Sequence, residues 1–164
     1  MAKHLDIIVG SDHRGKELKY KISDWLCPLD ENKLDIAVFW DCGTHSDKKT
    51  DYPDVVKKFA NYFDIYNQGI LFCGSGYGVM ISANKYPNIR AVVCRTVKEA
   101  EISRQHNDAN VLCIGSDFTN FATAKKIVKK FLTTNFLGGR HKRRVKKINK
   151  ILNNKEDICQ DTAE

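Results

Sequence analysis

Between Gly69 and Lys85 the sequence reads GILFCGSGYGVMISANK, and this stretch concentrates the groups best suited to chemistry. A short apolar strand (Ile70, Leu71, Phe72) meets glycines at alternate positions (Gly74, Gly76, Gly78). Apolar spacing that reads as helical (Val79, Ile81, Ala83) follows them. A strand that stops at glycines and restarts as a helix leaves backbone N–H groups uncommitted, placed to bind an anion or a developing oxyanion. Cys73 stands at the mouth of that turn, where a helix dipole and free amides favour a thiolate. Its other reading is a small buried hydrophobe on a strand. Neither standard nucleotide loop fits. G-x-G-x-x-G fails because Val79 stands where the third glycine belongs, and GSDHRGKE has the frame of a phosphate loop with Glu17 in place of the magnesium-binding Ser or Thr.

Apolar strands and amphipathic helices alternate around this stretch. Strands are read at Leu5–Val9, Ile36–Trp40, Ile70–Phe72, Ala91–Cys94 and Val111–Ile114. One helix carries Leu18, Ile22, Trp25 and Leu26. A second opens at Pro53 with Val55, Val56, Phe59, Ala60 and Phe63 on one face, and another runs from about Val97 to Gln105. A long helix turns Phe118, Phe121, Ala122, Ile127, Val128, Phe131 and Leu132 toward the sheet. Gly138 and Gly139 then precede a basic helix with the stripe Val145, Ile148 and Leu152. This order predicts an α/β fold, a doubly wound three-layer domain around a five-stranded parallel sheet. In such sheets ligands bind beyond the carboxyl ends of the strands, where the strand order reverses. If strands one and three are neighbours there, Ser11, Asp12 and His13 meet Cys73 to Gly78 in one crevice.

Composition narrows the function classes. The 164 residues suit one domain over residues 1–152, with 140–152 its basic helix and 153–164 expected to be a flexible tail. No apolar run approaches a membrane span, and the first residues enter a strand pattern without a signal-peptide profile, so a cytoplasmic protein is expected. The six cysteines (27, 42, 73, 94, 113 and 159) contain no C-x-x-C pair and read as reduced thiols, with neither a disulfide framework nor a metal site. The net charge of +7 comes from the seven Lys and Arg between Arg140 and Lys150. With no nucleic-acid-binding motif beside it, that segment reads as a solvated face, and nucleic acid is not the expected partner.

GSDHRG after the first strand, TDYPD at 50–54, CGSGYGVMISANK at 73–85, SRQHNDANV at 103–111 and GGRHKRRV at 138–145 together resemble the B-type ribose-5-phosphate isomerases. That family also includes galactose-6-phosphate isomerase subunits. The resemblance covers roughly Leu5 to Ile151. It implies interconversion of ribose 5-phosphate and ribulose 5-phosphate in the pentose phosphate pathway, without metal or other cofactor. It also implies a homodimer whose active sites draw on both subunits, and leaves open whether dimers pair into tetramers.

Carried over by residue, the resemblance places the proton-transferring base on Cys73. Relatives that use a glutamate instead carry it where this chain has Tyr77. The amides from Gly74 through Gly76 to Gly78 fall on the oxyanion site and Ser75 beside the reacting atoms. His106 matches the ring-opening acid and Asn107 a substrate contact. Asp12 matches a hydroxyl-binding residue, His13 a phosphate-binding one, Asp51 and Tyr52 ribose contacts, and Arg140 with Arg144 the phosphate clamp. Each has a plainer reading: turn chemistry for Asp12 and His13, a helix-start charge for Asp51, a helix-ending residue for His106, a solvated face for the arginines. His106 precedes strand five and Cys73 ends strand three, so the two fall at opposite edges of one sheet. A site shared between chains is expected from that separation.

Two departures stand out. Relatives often have an arginine shortly after strand five where this chain has Asp117, a charge that disfavours phosphate unless it serves as a helix cap. Pro28 to Leu34 lengthen the connection before strand two and read as a surface insertion. An isomerase of a six-carbon aldose phosphate (allose 6-phosphate or galactose 6-phosphate) and a non-catalytic phosphosugar-binding module remain as alternatives.

Overall fold

A computed structural model describes residues 5–26, 36–66 and 68–151. The expected insertion at Pro28–Leu34, Cys27 and Cys159, Leu152 of the basic stripe and the tail 153–164 lie outside the described residues. The elements alternate as β1 (Leu5–Ser11), α1 (Lys16–Leu26), β2 (Ile36–Asp41), α2 (Tyr52–Phe63), β3 (Gln68–Cys73), α3 (Tyr77–Ala83), β4 (Ala91–Val93), α4 (Val97–Asn107), β5 (Val111–Gly115), α5 (Phe121–Thr133) and α6 (Arg140–Ile151). All strand pairings are parallel, in the order β2-β1-β3-β5-β4. The order reverses between β1 and β3, which are hydrogen-bonded neighbours from Ile7↔Gln68 to Ser11↔Phe72.

Strand parity decides which side chain reaches which face. Ile7, Val9, Ile70, Phe72, Leu112 and Ile114 pack in one core with α1 and α5. Their alternates Ile8, Leu71, Cys73, Val111 and Cys113 pack in the other with α2 and α3. A period of two with both faces apolar is what a fully covered parallel sheet requires. It also fixes Cys73 on the α2–α3 side.

Three apolar assignments fail, each for a geometric reason. Ala122 is exposed because it lies off the α5 face that Ala124, Ile127, Val128 and Phe131 bury. Ile81 is exposed because at 100° per residue it points away from the face shared by Val79 and Ala83, four apart and buried. Phe118 is exposed because α5 begins later: Asn120 accepts the Thr123 N–H at 2.9 Å and caps the helix. Phe118 packs instead against the Arg95 guanidinium, 4.8 Å from its ring centre. Asp117 therefore does not cap α5. On the basic helix, Val145 is buried and Ile148 is largely exposed. No described helix is long and apolar enough to cross a membrane.

Candidate active site

At the carboxyl edge of the sheet, beside the β1/β3 reversal, a crevice of about 300 Å³ is lined by Asp12, His13, Arg14, Thr50, Asp51, Tyr52, Cys73, Gly74, Ser75, Gly78 and Asp117. Five of these come from the loops after β1 and β3, with Cys73 at the end of β3 and Gly78 in the first turn of α3, as expected for ligand sites in open parallel sheets. Of the four described cysteines, burial pushes the Cys42 thiol up to about 12, the Cys94 thiol to about 11 and the fully buried Cys113 well above its ordinary value. Those three are inert at neutral pH. Cys73 differs in opening onto the crevice, where the Gly76 backbone N–H donates to its Sγ at 3.0 Å. That donation strengthens when the sulfur carries negative charge.

The glycine turn is built for this contact. Gly76 holds φ +85°, a left-handed conformation that costs glycine little, and a Cβ there would meet the Gly115 backbone at 3.1 Å. Its amide is thus committed to the thiol instead of standing free for an oxyanion. The Tyr77 amide goes to Ser75 Oγ at 3.3 Å, while the Gly74 and Gly78 positions line the crevice. A Cβ on Gly78 would meet the Tyr52 ring at 2.8 Å, so the glycine lets that aromatic lie flat against the turn. Tyr77 itself turns away and its hydroxyl meets the Arg95 guanidinium.

The opposite wall is set by the loops after β1 and β2. One carboxylate oxygen of Asp12 accepts the N–H groups of Arg14 and Gly15 at 2.9 and 3.0 Å, so the turn reading of Asp12 holds alongside its place in the crevice. His13 Nδ1 lies 3.2 Å from the Thr50 amide, which donates to it. Asp51 sits at the N-cap of α2 without a side-chain cap bond, leaving its carboxylate for the crevice. Beneath this wall, and absent from the sequence reading, is Lys19. Its side chain is fully buried, with Nζ 2.8 Å from Asp41 and 3.1 Å from the Thr44 carbonyl. Asp41 also accepts the Gly43 N–H, and Thr44 Oγ1 bonds Thr50 Oγ1 at 2.9 Å, so this ammonium underpins the loop that holds His13. The sequence shows a lysine beside the apolar positions Leu18 and Ile22, but neither its burial nor its Asp41 partner.

His106, Asn107, Arg140 and Arg144 are elsewhere. None lines the crevice. Instead the His106 ring stacks on His141 of α6, centres 4.4 Å apart and planes 5° from parallel. Asp108 takes a left-handed φ of 46° at the end of α4 and pairs with Arg104 at 3.0 Å and Arg90 at 3.1 Å, fixing the turn just after His106 and Asn107. Arg104, Arg90 and His141 are the residues missed in this second cluster.

Burial, then the neighbouring His106 and the Arg140 and Arg144 guanidinia, hold the His141 imidazole below its ordinary 6.5. The unfolded chain therefore binds the proton more readily, so this ring's contribution to stability is present above about pH 6.5 and fades as the pH falls below it. Thermal melts from pH 8 to 5 should show the stability gap between wild type and His141→Gln narrowing toward acid. A gap that stays constant would show that the ring's titration contributes nothing.

Comparison with known proteins fits this geometry. The chain is 42% identical over 147 residues to ribose-5-phosphate isomerase B of Escherichia coli K12, covering 88% of this chain and 95% of that one. Among solved structures, ribose-5-phosphate isomerase B of Clostridium thermocellum superposes with a TM-score of 0.82 at 41% identity, over 90% of this chain and 97% of the other. Ribose 5-phosphate isomerase B of Anaplasma phagocytophilum gives 0.81 at 39% identity, over 90% and 99%. The family model described as Ribose/Galactose Isomerase matches residues 7–148, a span that includes the thiol crevice and the histidine cluster, and the chain belongs to that family.

Proposed function

We propose that the chain is an aldose–ketose isomerase interconverting D-ribose 5-phosphate and D-ribulose 5-phosphate, acting in the cytoplasm within the pentose phosphate pathway. The observation that carries this reading is the crevice thiol with a backbone N–H on its sulfur, beside Asp12, Asp51 and Ser75. In the open-chain aldose, Cys73 Sγ takes the proton from C2. The electron pair forms a C1–C2 enediolate with its negative charge on O1, the O2 hydroxyl proton passes to O1, and the proton held on Cys73 Sγ returns to C1 as the carbonyl forms at C2. Amides of Gly74 and Gly78 and the Ser75 hydroxyl surround the position where negative oxygen develops. Asp12, Asp51 and Tyr52 hold the sugar hydroxyls. No step calls for a metal.

Charge supports a site completed by a second chain. The crevice of one subunit presents three carboxylates (Asp12, Asp51, Asp117) against the guanidinium of Arg14, with His13 beside them, a poor balance for a phosphate dianion. Arg140 and Arg144 stand with His106 and Asn107 in the other cluster. A two-fold homodimer that brings the second cluster of one subunit to the crevice of its partner supplies the missing cations and the ring-opening acid.

A mixing experiment tests both parts. Cys73→Ala and His106→Asn should each be nearly inactive in a coupled ribose 5-phosphate assay. Unfolded together and refolded one to one, they should recover about a quarter of wild-type activity, because half of the dimers then hold one intact site. Recovery of none, with both variants dimeric, would refute the shared site.

A further inference from the structure

A second groove of about 410 Å³ adjoins the crevice and is lined by Arg14, Glu17, Leu18, Lys21, Ser116, Asp117, Thr119, Asn120 and Phe121. Arg14 and Asp117 line both spaces, and they form an ion pair, Nη2 to Oδ2, at 2.5 Å. The partition between the two spaces is therefore this pair. We infer that the Arg14–Asp117 pair is the end wall of the sugar crevice and sets the length of phosphosugar that the enzyme accepts. The inference rests on the isomerase reading above and deepens it.

Three observations show that the wall is positioned by the surrounding loops. The Arg14 N–H is held by Asp12, and the Asp117 N–H donates to the Gly74 carbonyl at 3.0 Å. The Ser116 hydroxyl lies 3.0 Å from the Arg14 carbonyl and 3.1 Å from that of Cys73, joining the ends of β1, β3 and β5. The pair also rests directly on the catalytic turn: a Cβ on Gly74 would come within 2.7 Å of Arg14 Nε and 3.0 Å of Asp117 Oδ2. Meanwhile the two side chains are 58% and 41% exposed, so their attraction is screened by water and contributes little to folding. An exposed pair fixed so firmly at its backbone has its main consequence in shape and local charge.

Electrostatics separates the two members. Asp117 in the crevice disfavours phosphate, and Arg14 neutralises it. Removing Asp117 opens the wall and leaves a cation, whereas removing Arg14 opens the wall and leaves three carboxylates unopposed. The two truncations share one effect, on length, and differ in another, on affinity.

The experiment compares kcat/KM for ribose 5-phosphate and allose 6-phosphate in the wild type, Asp117→Ala, Arg14→Ala and the exchange Arg14→Asp/Asp117→Arg. One carbon more or less in a fitted pocket is worth about 10–200-fold, and a shift of about tenfold or more toward the six-carbon sugar is expected in each alanine variant. Arg14→Ala should in addition raise KM for both sugars. The exchange rebuilds the pair and should return the preference to within a few-fold of wild type. Equal losses on both sugars, or an unchanged ratio in variants that keep wild-type melting temperatures, would overturn the inference. Should the wild type convert neither sugar, the isomerase reading fails, and the ratio of Kd values for the two phosphosugars, measured by calorimetry, decides the wall separately.

Discussion

Cys73→Ala is expected to lower turnover of ribose 5-phosphate by about two to four orders of magnitude, the usual worth of a positioned proton-transfer group, while KM changes only a few-fold. The split follows from the geometry. Cys73 is 4% exposed and Gly76 donates its N–H to the sulfur, so removal of the thiol leaves Asp12, Asp51 and Tyr52 in place along the crevice. Cys73→Ser should be almost as slow, because a hydroxyl in the same position does not ionise near neutral pH. The same substitution on a cysteine that served only as core packing would behave in the opposite way, costing some thermal stability and no rate. Steady-state kinetics beside a melting curve therefore distinguish the two. Ligand binding with no turnover in the wild type would instead point to a phosphosugar-binding module.

Lys19→Ala is expected to carry the largest stability cost, about 3 kcal/mol, by stranding the Asp41 carboxylate beneath the β2 loop. The carboxylate is 19% exposed, which keeps the loss toward the lower end for a broken buried pair. Replacing both partners, as Lys19→Met/Asp41→Leu, should recover most of the loss, since neither charge then remains without a partner. Urea unfolding of the wild type, Lys19→Met, Asp41→Leu and the double variant measures the cycle. Equal cost in the single and double variants would mean that the lysine stem, and not its charge, supports the fold. The single variant should also raise KM, because the Thr44–Thr50–His13 chain of contacts loses its anchor.

Much of this architecture was legible in the chain because it rests on short-range pattern. Ile70 to Phe72 followed by three spaced glycines announced the β3–α3 turn, and the neighbouring β1 and β3 put Asp12 and His13 beside Cys73 as the strand reversal demands. Periodicity misled where an element's start was misplaced and where a residue lay off its helix's buried face. Phe118 falls before the Asn120 cap, and Ile81 lies off the face that Val79 and Ala83 share. The pairings that shape the crevice left no such trace. Arg14 and Asp117 are 103 residues apart on the loops after β1 and β5, Lys19 and Asp41 sit on α1 and β2, and each pair forms only when the sheet brings its two elements together. His106 could be seen as a candidate, yet its stacking on His141 depends on how α6 packs against α4.

The group that steadies the Cys73 sulfur belongs to the main chain. Side-chain replacement around the turn leaves that donor intact, and only a change in the path of the backbone can withdraw it. Selection for altered reactivity of this thiol should therefore find few solutions among charged neighbours and many at Gly76, where any side chain must accept φ +85° and crowd the Gly115 amide. The surroundings of this thiol are written into the course of the polypeptide, which makes them resistant to most single-residue drift and vulnerable at one glycine.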